Sequence, residues 1–114
     1  MIIEQRTYTL RPGSVLDYLD LYEREGLEVQ RGHLERLVGY YHSEIGELNQ
    51  IIHMWAYEDL EDRRRRRTAL FKDPRWNEAV RKLLPYIERM ENRILLPAPF
   101  SPQPSGGSST DGPG

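Results

Sequence analysis

The sequence contains no cysteine. Disulfide bonds, thiolate metal sites and a cysteine nucleophile are therefore excluded. No apolar run approaches the ~20 residues that cross a bilayer, so no membrane-spanning helix is expected. Neither sign of charge prevails: 16 basic and 18 acidic residues leave a formal net charge of -2. Such a balance gives no global field to draw in nucleic acid or an acidic membrane, and neither is expected as a partner. Catalytic signatures are missing too. There is no nucleophile elbow with a serine, histidine and aspartate in order, no glycine-rich phosphate loop and no HExxH helix. Met1-Ile2-Ile3-Glu4 has no basic segment leading into an apolar stretch. No secretory signal or transit peptide is expected ahead of the domain, and a cytoplasmic home is.

What is present is one domain's worth of chain. The 114 residues are 38% hydrophobic and 30% charged. The core must be lean, and a dimer that buries more apolar surface would support it.

Ile2 to Leu10 is rich in β-formers and reads as a first strand, stopped by Arg11-Pro12-Gly13. Ser14 is placed to cap a helix whose apolar points are Val15, Tyr18, Leu19 and Tyr22, running to about His33. Gly26 and Gly32 weaken its second half. Leu37 to Glu44 and Gln50 to Tyr57 read as an antiparallel hairpin around Ile45-Gly46-Glu47-Leu48-Asn49. Asp59 to Lys72 is a second helix, and Asp73-Pro74 restarts it, aspartate as cap and proline at the first helical position. Trp76, Val80, Leu83, Leu84 and Ile87 form its stripe, with Pro85 kinking or ending it. Ile94-Leu95-Leu96 is a short last strand. From Ser101 onward the chain holds glycine, proline, serine, glutamine, threonine and one aspartate, and is expected to be disordered.

The order is βαββαβ, an α+β, ferredoxin-like antiparallel sheet with helices on one face. Ile52, Met54 and Ala56 alternate with Ile51, His53, Trp55 and Tyr57. A strand apolar on both sides is buried on both sides. With one helix layer in the chain, the second cover is expected to be another copy, a homodimer through the sheet face.

Four groups invite a chemical reading. The hairpin carries Tyr40, His42, Glu44, His53, Trp55 and Tyr57. If the turn sets Glu44 opposite Ile51, His42 faces His53 and Tyr40 faces Trp55. Two histidines and a carboxylate could then shuttle a proton or hold a divalent metal. The plainer reading makes them core and interface residues, and no metal is expected. A one-residue slip would send the two histidines to opposite faces. Arg63 to Arg67 is an anion or nucleic-acid patch, or simply a solvated helix face. Five consecutive helical residues point all the way round, yet Arg63 and Arg67 share a face and can reach inward to a carboxylate or aromatic ring. Trp76 reads as core. Arg6 and Tyr8 share a face of the first strand, either as a cation and phenol for an acidic or carbonyl ligand, or as an edge pair in solvent.

Glu4-Gln5-Arg6-Thr7-Tyr8-Thr9-Leu10-Arg11-Pro12-Gly13, Leu37-Val38-Gly39-Tyr40-Tyr41, Glu44-Ile45-Gly46-Glu47-Leu48-Asn49 and His53-Met54-Trp55-Ala56-Tyr57 resemble the NIPSNAP family. So does Asp73-Pro74-Arg75-Trp76. The resemblance covers residues 2 to about 98. It implies a dimeric α/β barrel domain over residues 1–98, two ferredoxin-like subunits packed sheet to sheet, and leaves residues 99–114 as a tail. The wider barrel group includes cofactor-independent monooxygenases, haem-degrading enzymes and stress-response proteins with a pocket between sheet and helices. A haem ligand there would be a histidine on the helix after strand three. Asp59 to Lys72 has none, and no cofactor is expected.

Two classes of function stand. One is a small-molecule binding or enzymatic dimer, with His53 and His42 as candidate catalytic residues and Arg6, Tyr8, Tyr40, Trp55 and Tyr57 as candidate ligand contacts. The other is a non-enzymatic scaffold whose surface is the arginine segment and the tail.

Overall fold

A computed structural model describes residues 1–102. Four strands are β1 (Ile2–Leu10), β2 (Leu37–His42), β3 (Gln50–Tyr57) and β4 (Ile87–Leu95). Four helices are α1 (Val15–Glu25), α2 (Leu27–Leu34), α3 (Leu60–Phe71) and α4 (Pro74–Leu83), the last followed by a 3-10 turn at Leu84–Tyr86. The sheet is antiparallel throughout, in the order β2-β3-β1-β4. This is the expected ferredoxin-like α+β arrangement. The tail beyond Pro102 lies outside the described residues.

Period-two patterning sorts the strand residues to two faces. Ile2, Tyr8 and Leu10 of β1 and Ile51, Trp55 and Tyr57 of β3 bury themselves against the helices. Tyr18 and Tyr22 come down from α1, Leu70 from α3, and Trp76, Ala79 and Leu83 from α4. Burying a side chain such as Leu70 contributes about 2 kcal/mol.

Two aspartates start their helices as read. Asp59 accepts a hydrogen bond from the Asp62 amide at 2.8 Å, and Asp73 accepts one from the Arg75 amide at 2.9 Å. Ser14 makes no side-chain cap bond; its carbonyl instead accepts from the Tyr18 amide at 2.9 Å. The helix expected to reach His33 is two helices, broken at Gly26. A Cβ there would lie 3.0 Å from Tyr22 Cδ1 and 3.3 Å from Trp76 Cζ3. Glycine thus leaves room at this junction for the Tyr22 ring of α1 and the Trp76 ring of α4.

The largest departure is β4. A helical stripe continuing to Ile87 and a three-residue strand were expected, yet the strand runs nine residues from Ile87. Pro85 falls in the 3-10 turn, and the chain then pairs with β1 from Leu10↔Ile87 to Ile3↔Leu95. Glu88, Arg89, Glu91 and Arg93, given no element from the sequence, decorate an exposed edge strand, where charge discourages further pairing.

β2 ends at His42, two residues short of the expected Glu44, and the hairpin register differs from the one considered. His42 pairs with Ile51 and Tyr40 with His53; Leu37, after a bulge, pairs with Trp55. The two histidines share a sheet face without facing each other.

The face away from the helices carries Ile3, Ile52, Met54 and Ala56. The segment from Leu96 to Pro102 runs beside it, and Ile3, Val38, Met54, Leu95 and Phe100 line a shallow groove. Tyr41, Leu96 and Phe100 on this side are exposed.

Candidate functional site

A cavity of about 130 Å³ opens between the sheet and the helix layer. β1 supplies Arg6 and Tyr8, β2 Tyr40 and β3 His53. The helices supply Tyr18, Tyr22, Gln30, Arg67 and Trp76, with Val80 and Leu83 of α4 and Met90 of β4 adding apolar wall.

One wall is a stack of rings. Tyr22 and Tyr40 stack at 4.7 Å between centroids, and Tyr40 stacks on His53 at 4.6 Å. Tyr8 meets His53 edge-on at 5.0 Å. The Tyr40–His53 contact follows from their being cross-strand partners on one face. The Tyr22 hydroxyl donates to Gln30 Oε1 of α2, tying the stack to the helices.

His53 is 1% exposed. Trp55, two residues along the same face, donates its indole N–H to His53 Nδ1 at 2.8 Å. An indole can only donate, so Nδ1 is an acceptor and the ring proton sits on Nε2. His53 Nε2 has no partner among the described residues, and neither do Tyr40 Oη or Trp76 Nε1. Burial, seconded by the positive charge of Arg6, lowers the His53 pKa to about 3, so the imidazole is neutral at ordinary pH. Burial likewise pushes the hydroxyls of Tyr18, Tyr22 and Tyr40 well above their ordinary range.

Beside the rings lies a buried ionic cluster. Glu4 is fully buried, and its Oε2 accepts from Arg6 Nη1 at 3.0 Å, Arg63 Nη2 at 2.7 Å and Asn92 Nδ2 at 2.9 Å. Burial alone would raise its pKa. The hydrogen bonds from Arg63 and Asn92 and the charges of Arg6 and Arg63 outweigh that and hold it at about 2. Arg6 also donates Nε to Tyr8 Oη at 2.8 Å. Arg67, one turn beyond Arg63, makes no hydrogen bond or ion pair with a described residue; its guanidinium lies 4.9 Å from the Phe71 ring centre. Burial and the neighbouring Arg6 lower its pKa.

The sequence-derived candidates divide accordingly. Arg6, Tyr8, Tyr40 and His53 come together on the cavity wall. Trp55 and Tyr57 are fully buried on the same face but stand behind the cavity; Trp55 acts on it by orienting His53. His42 is exposed and outside the cavity. Arg6 and Tyr8 are not an edge pair in solvent, because β1 is a central strand. Trp76 is core and cavity wall at once. Among the described residues, no group of three histidines and carboxylates could hold a metal ion.

The arginine run is dispersed, as consecutive helical positions must be. Arg64 pairs with Glu61, Arg65 with Asp62, and Arg66 with Asp62 and Glu35. Arg63 and Arg67 turn inward, Arg63 to Glu4. Sequence reasoning passed over Tyr18, Tyr22, Gln30 and Arg67 as site residues. Tyr18 and Tyr22 were visible as an inward stripe, and Arg67 as a partner of Arg63. Which strand they would meet was not.

The fold and this cavity define a ferredoxin-like domain with a mostly apolar pocket, bearing a few polar groups, under its helices. The NIPSNAP family profile matches residues 3–102. The chain belongs to the NIPSNAP family. A NIPSNAP-like domain protein from Burkholderia xenovorans is 50% identical, with a TM-score of 0.90 over 92% of this chain and 91% of that one. A NIPSNAP family protein of unknown function from Agrobacterium tumefaciens is 49% identical, with a TM-score of 0.88 over 90% of this chain and 92% of that one. Protein NipSnap homolog 2 of Danio rerio is 38% identical over 89% of this chain. The match spans only 35% of that relative, about a third of its length. An antibiotic biosynthesis monooxygenase shares the fold alone, at 12% identity and a TM-score of 0.61 over 87% of this chain and 100% of that one. Among the described residues, no helix is long and apolar enough to cross a membrane.

Proposed function

We propose that the chain works as a homodimer in which each subunit binds a small molecule in the cavity beneath the Tyr22–Tyr40–His53 stack. One observation carries the reading: three polar atoms on the cavity wall, His53 Nε2, Tyr40 Oη and Trp76 Nε1, are buried without partners among the described residues. Leaving a buried donor unsatisfied costs roughly 1–3 kcal/mol, and a ligand acceptor removes that cost. A concave, mostly apolar site with a few convergent polar groups is the usual form of a small-molecule pocket.

His53 serves this site as a hydrogen-bond donor through Nε2. Its Nδ1 is held by Trp55 and its pKa is about 3, so it does not take up a proton at neutral pH. A reaction here would polarise a ligand oxygen rather than begin with proton abstraction by His53. The exposed His42 has no part in it. For the dimer, support comes from the apolar face of Ile52 and Met54, which has no helix layer, and from the exposed Tyr41, Leu96 and Phe100 beside it. The scaffold reading loses its main support, because three of the run's arginines are matched by carboxylates of their own helix or of the α2 end.

Native mass spectrometry tests both halves. The expected result is twice the chain mass with a discrete adduct that is released on denaturation. Val80→Phe, which fills the cavity, should remove the adduct and leave the thermal midpoint unchanged or higher. A bare monomer refutes the dimer. An adduct retained by a folded Val80→Phe protein, or no adduct on the wild type and no stabilisation by any compound in a thermal-shift screen, refutes the pocket.

A further inference from the structure

Resting on the pocket reading above, the charge around the cavity narrows the class of ligand. The residues lining it include two arginines, Arg6 and Arg67, and no aspartate or glutamate. The nearest acid, Glu4, is shared by Arg6, Arg63 and Asn92. One buried carboxylate thus stands among three guanidiniums. Arg67 is the one without an ion pair among the described residues, although burial and Arg6 already disfavour its charge. Partly buried charge without a counter-ion is costly, and folds keep it where something else neutralises it.

The neutral polar groups agree with the charges. His53 Nε2 is a donor by the tautomer argument, and the unpartnered Trp76 Nε1 is a donor by its chemistry. Tyr40 Oη is unpartnered and can donate as well. The one amide oxygen on the wall, Gln30 Oε1, is already taken by Tyr22. A wall that offers donors and cations and almost no free acceptor fits a ligand whose polar end only accepts.

We infer that the cavity takes a small organic carboxylic acid as its anion, with the carboxylate against Arg67 and Arg6 and an apolar body on the Tyr22–Tyr40–His53 stack. Guanidinium matches carboxylate geometry with paired N–H groups. Arg6 uses Nε on Tyr8 and Nη1 on Glu4, which leaves Nη2 for this contact. An apolar cavity of about 150 Å³ admits benzene. At about 130 Å³ the cavity here is slightly smaller, so the apolar body is held to a single ring at most.

Benzoate and phenylacetate, with benzamide and phenylacetamide as neutral isosteres, are the probes. Trp76 on the wall and Trp55 behind it report binding through intrinsic fluorescence. Each acid should bind at least about tenfold more tightly than its amide, the worth of one charge-assisted hydrogen bond. Arg67→Met should cut that preference several-fold, with Arg6 Nη2 sustaining the remainder. It should also raise the thermal midpoint of the unliganded protein, because it removes a charge without a counter-ion. An arginine with a merely structural role would lower that midpoint. Equal affinity for acid and amide overturns the anion assignment and leaves the pocket standing. No binding of any of the four at about 10 mM overturns the one-ring carboxylate assignment, while the native-mass adduct and the thermal-shift screen decide the pocket separately. A folded Arg67→Met protein whose preference for the acid equals that of the wild type overturns the role of Arg67. The acid–amide comparison on the wild type needs no variant, so it decides the ligand class even if Arg67→Met fails to fold.

Discussion

Replacing Glu4 by glutamine tests whether the buried carboxylate anchors the site. Glutamine keeps the shape and one acceptor oxygen but removes the negative charge from among Arg6, Arg63 and Arg67. Breaking a buried ion pair by removing one partner typically costs about 3–5 kcal/mol. The pH dependence gives a sharper number. The Glu4 carboxyl has a folded pKa of about 2 against an ordinary 4.5. Between those values the unfolded chain binds more protons than the folded one. The carboxylate's contribution is therefore complete above pH 4.5 and fades as pH falls toward 2. Integrated over that shift, about 2 kcal/mol is lost between pH 6 and pH 3, and about 3 kcal/mol in all. Urea unfolding followed by tryptophan fluorescence, on wild type and Glu4→Gln at pH 6 and pH 3, measures it. Other titrating groups act on both proteins, so the difference between them isolates Glu4. The penalty of Glu4→Gln should shrink by about 2 kcal/mol at pH 3. A penalty that is the same at both pH values would refute the argument that the three donors on Oε2 set the ionisation of this carboxyl.

His53→Phe should cost roughly 1–3 kcal/mol by leaving the Trp55 indole N–H unpaired. The unfolded imidazole takes a proton near pH 6.5 and the folded one only near 3, so the wild type should lose about 2 kcal/mol between pH 7 and pH 5 that His53→Phe does not lose; parallel pH profiles would exclude a neutral buried ring. Gly26→Ala should destabilise by about 1–3 kcal/mol, since its Cβ presses on Tyr22 and Trp76, and should shift tryptophan emission; wild-type stability and emission would show that the α1–α2 junction has slack. Met54→Glu sets a charge on the sheet face opposite the helices and should turn the proposed dimer into monomer by size-exclusion with light scattering; a dimer that persists would place the interface elsewhere.

The same ionic groups show where sequence reading stops. Residue types and spacing determined the element order, the helix starts at Asp59 and Asp73 and the break at Pro85, because these are local effects of backbone hydrogen bonding and proline geometry. Period-two alternation also put Arg6 with Tyr8, and His53 with Trp55, on shared faces. Those pairs proved to be bonded neighbours. The first seven residues of β4, Ile87 to Arg93, stayed hidden because they are mostly charged and only pairing with β1 makes them strand; an edge strand carries little apolar alternation to read.

Tertiary structure decided the rest. The hairpin register put Tyr40, not His42, beside His53, and register depends on where a turn and a bulge fall, which composition does not encode. The meeting of Arg63 with Glu4, 59 positions apart in the chain, and the turning of Arg67 into the cavity depend on how α3 lies across the sheet. By itself the sequence determined the family, the order of the elements and which residues of a strand share a face. It could not determine which of those residues meet, because contacts between elements follow from packing a helix layer onto a sheet, and packing is decided by the whole core at once.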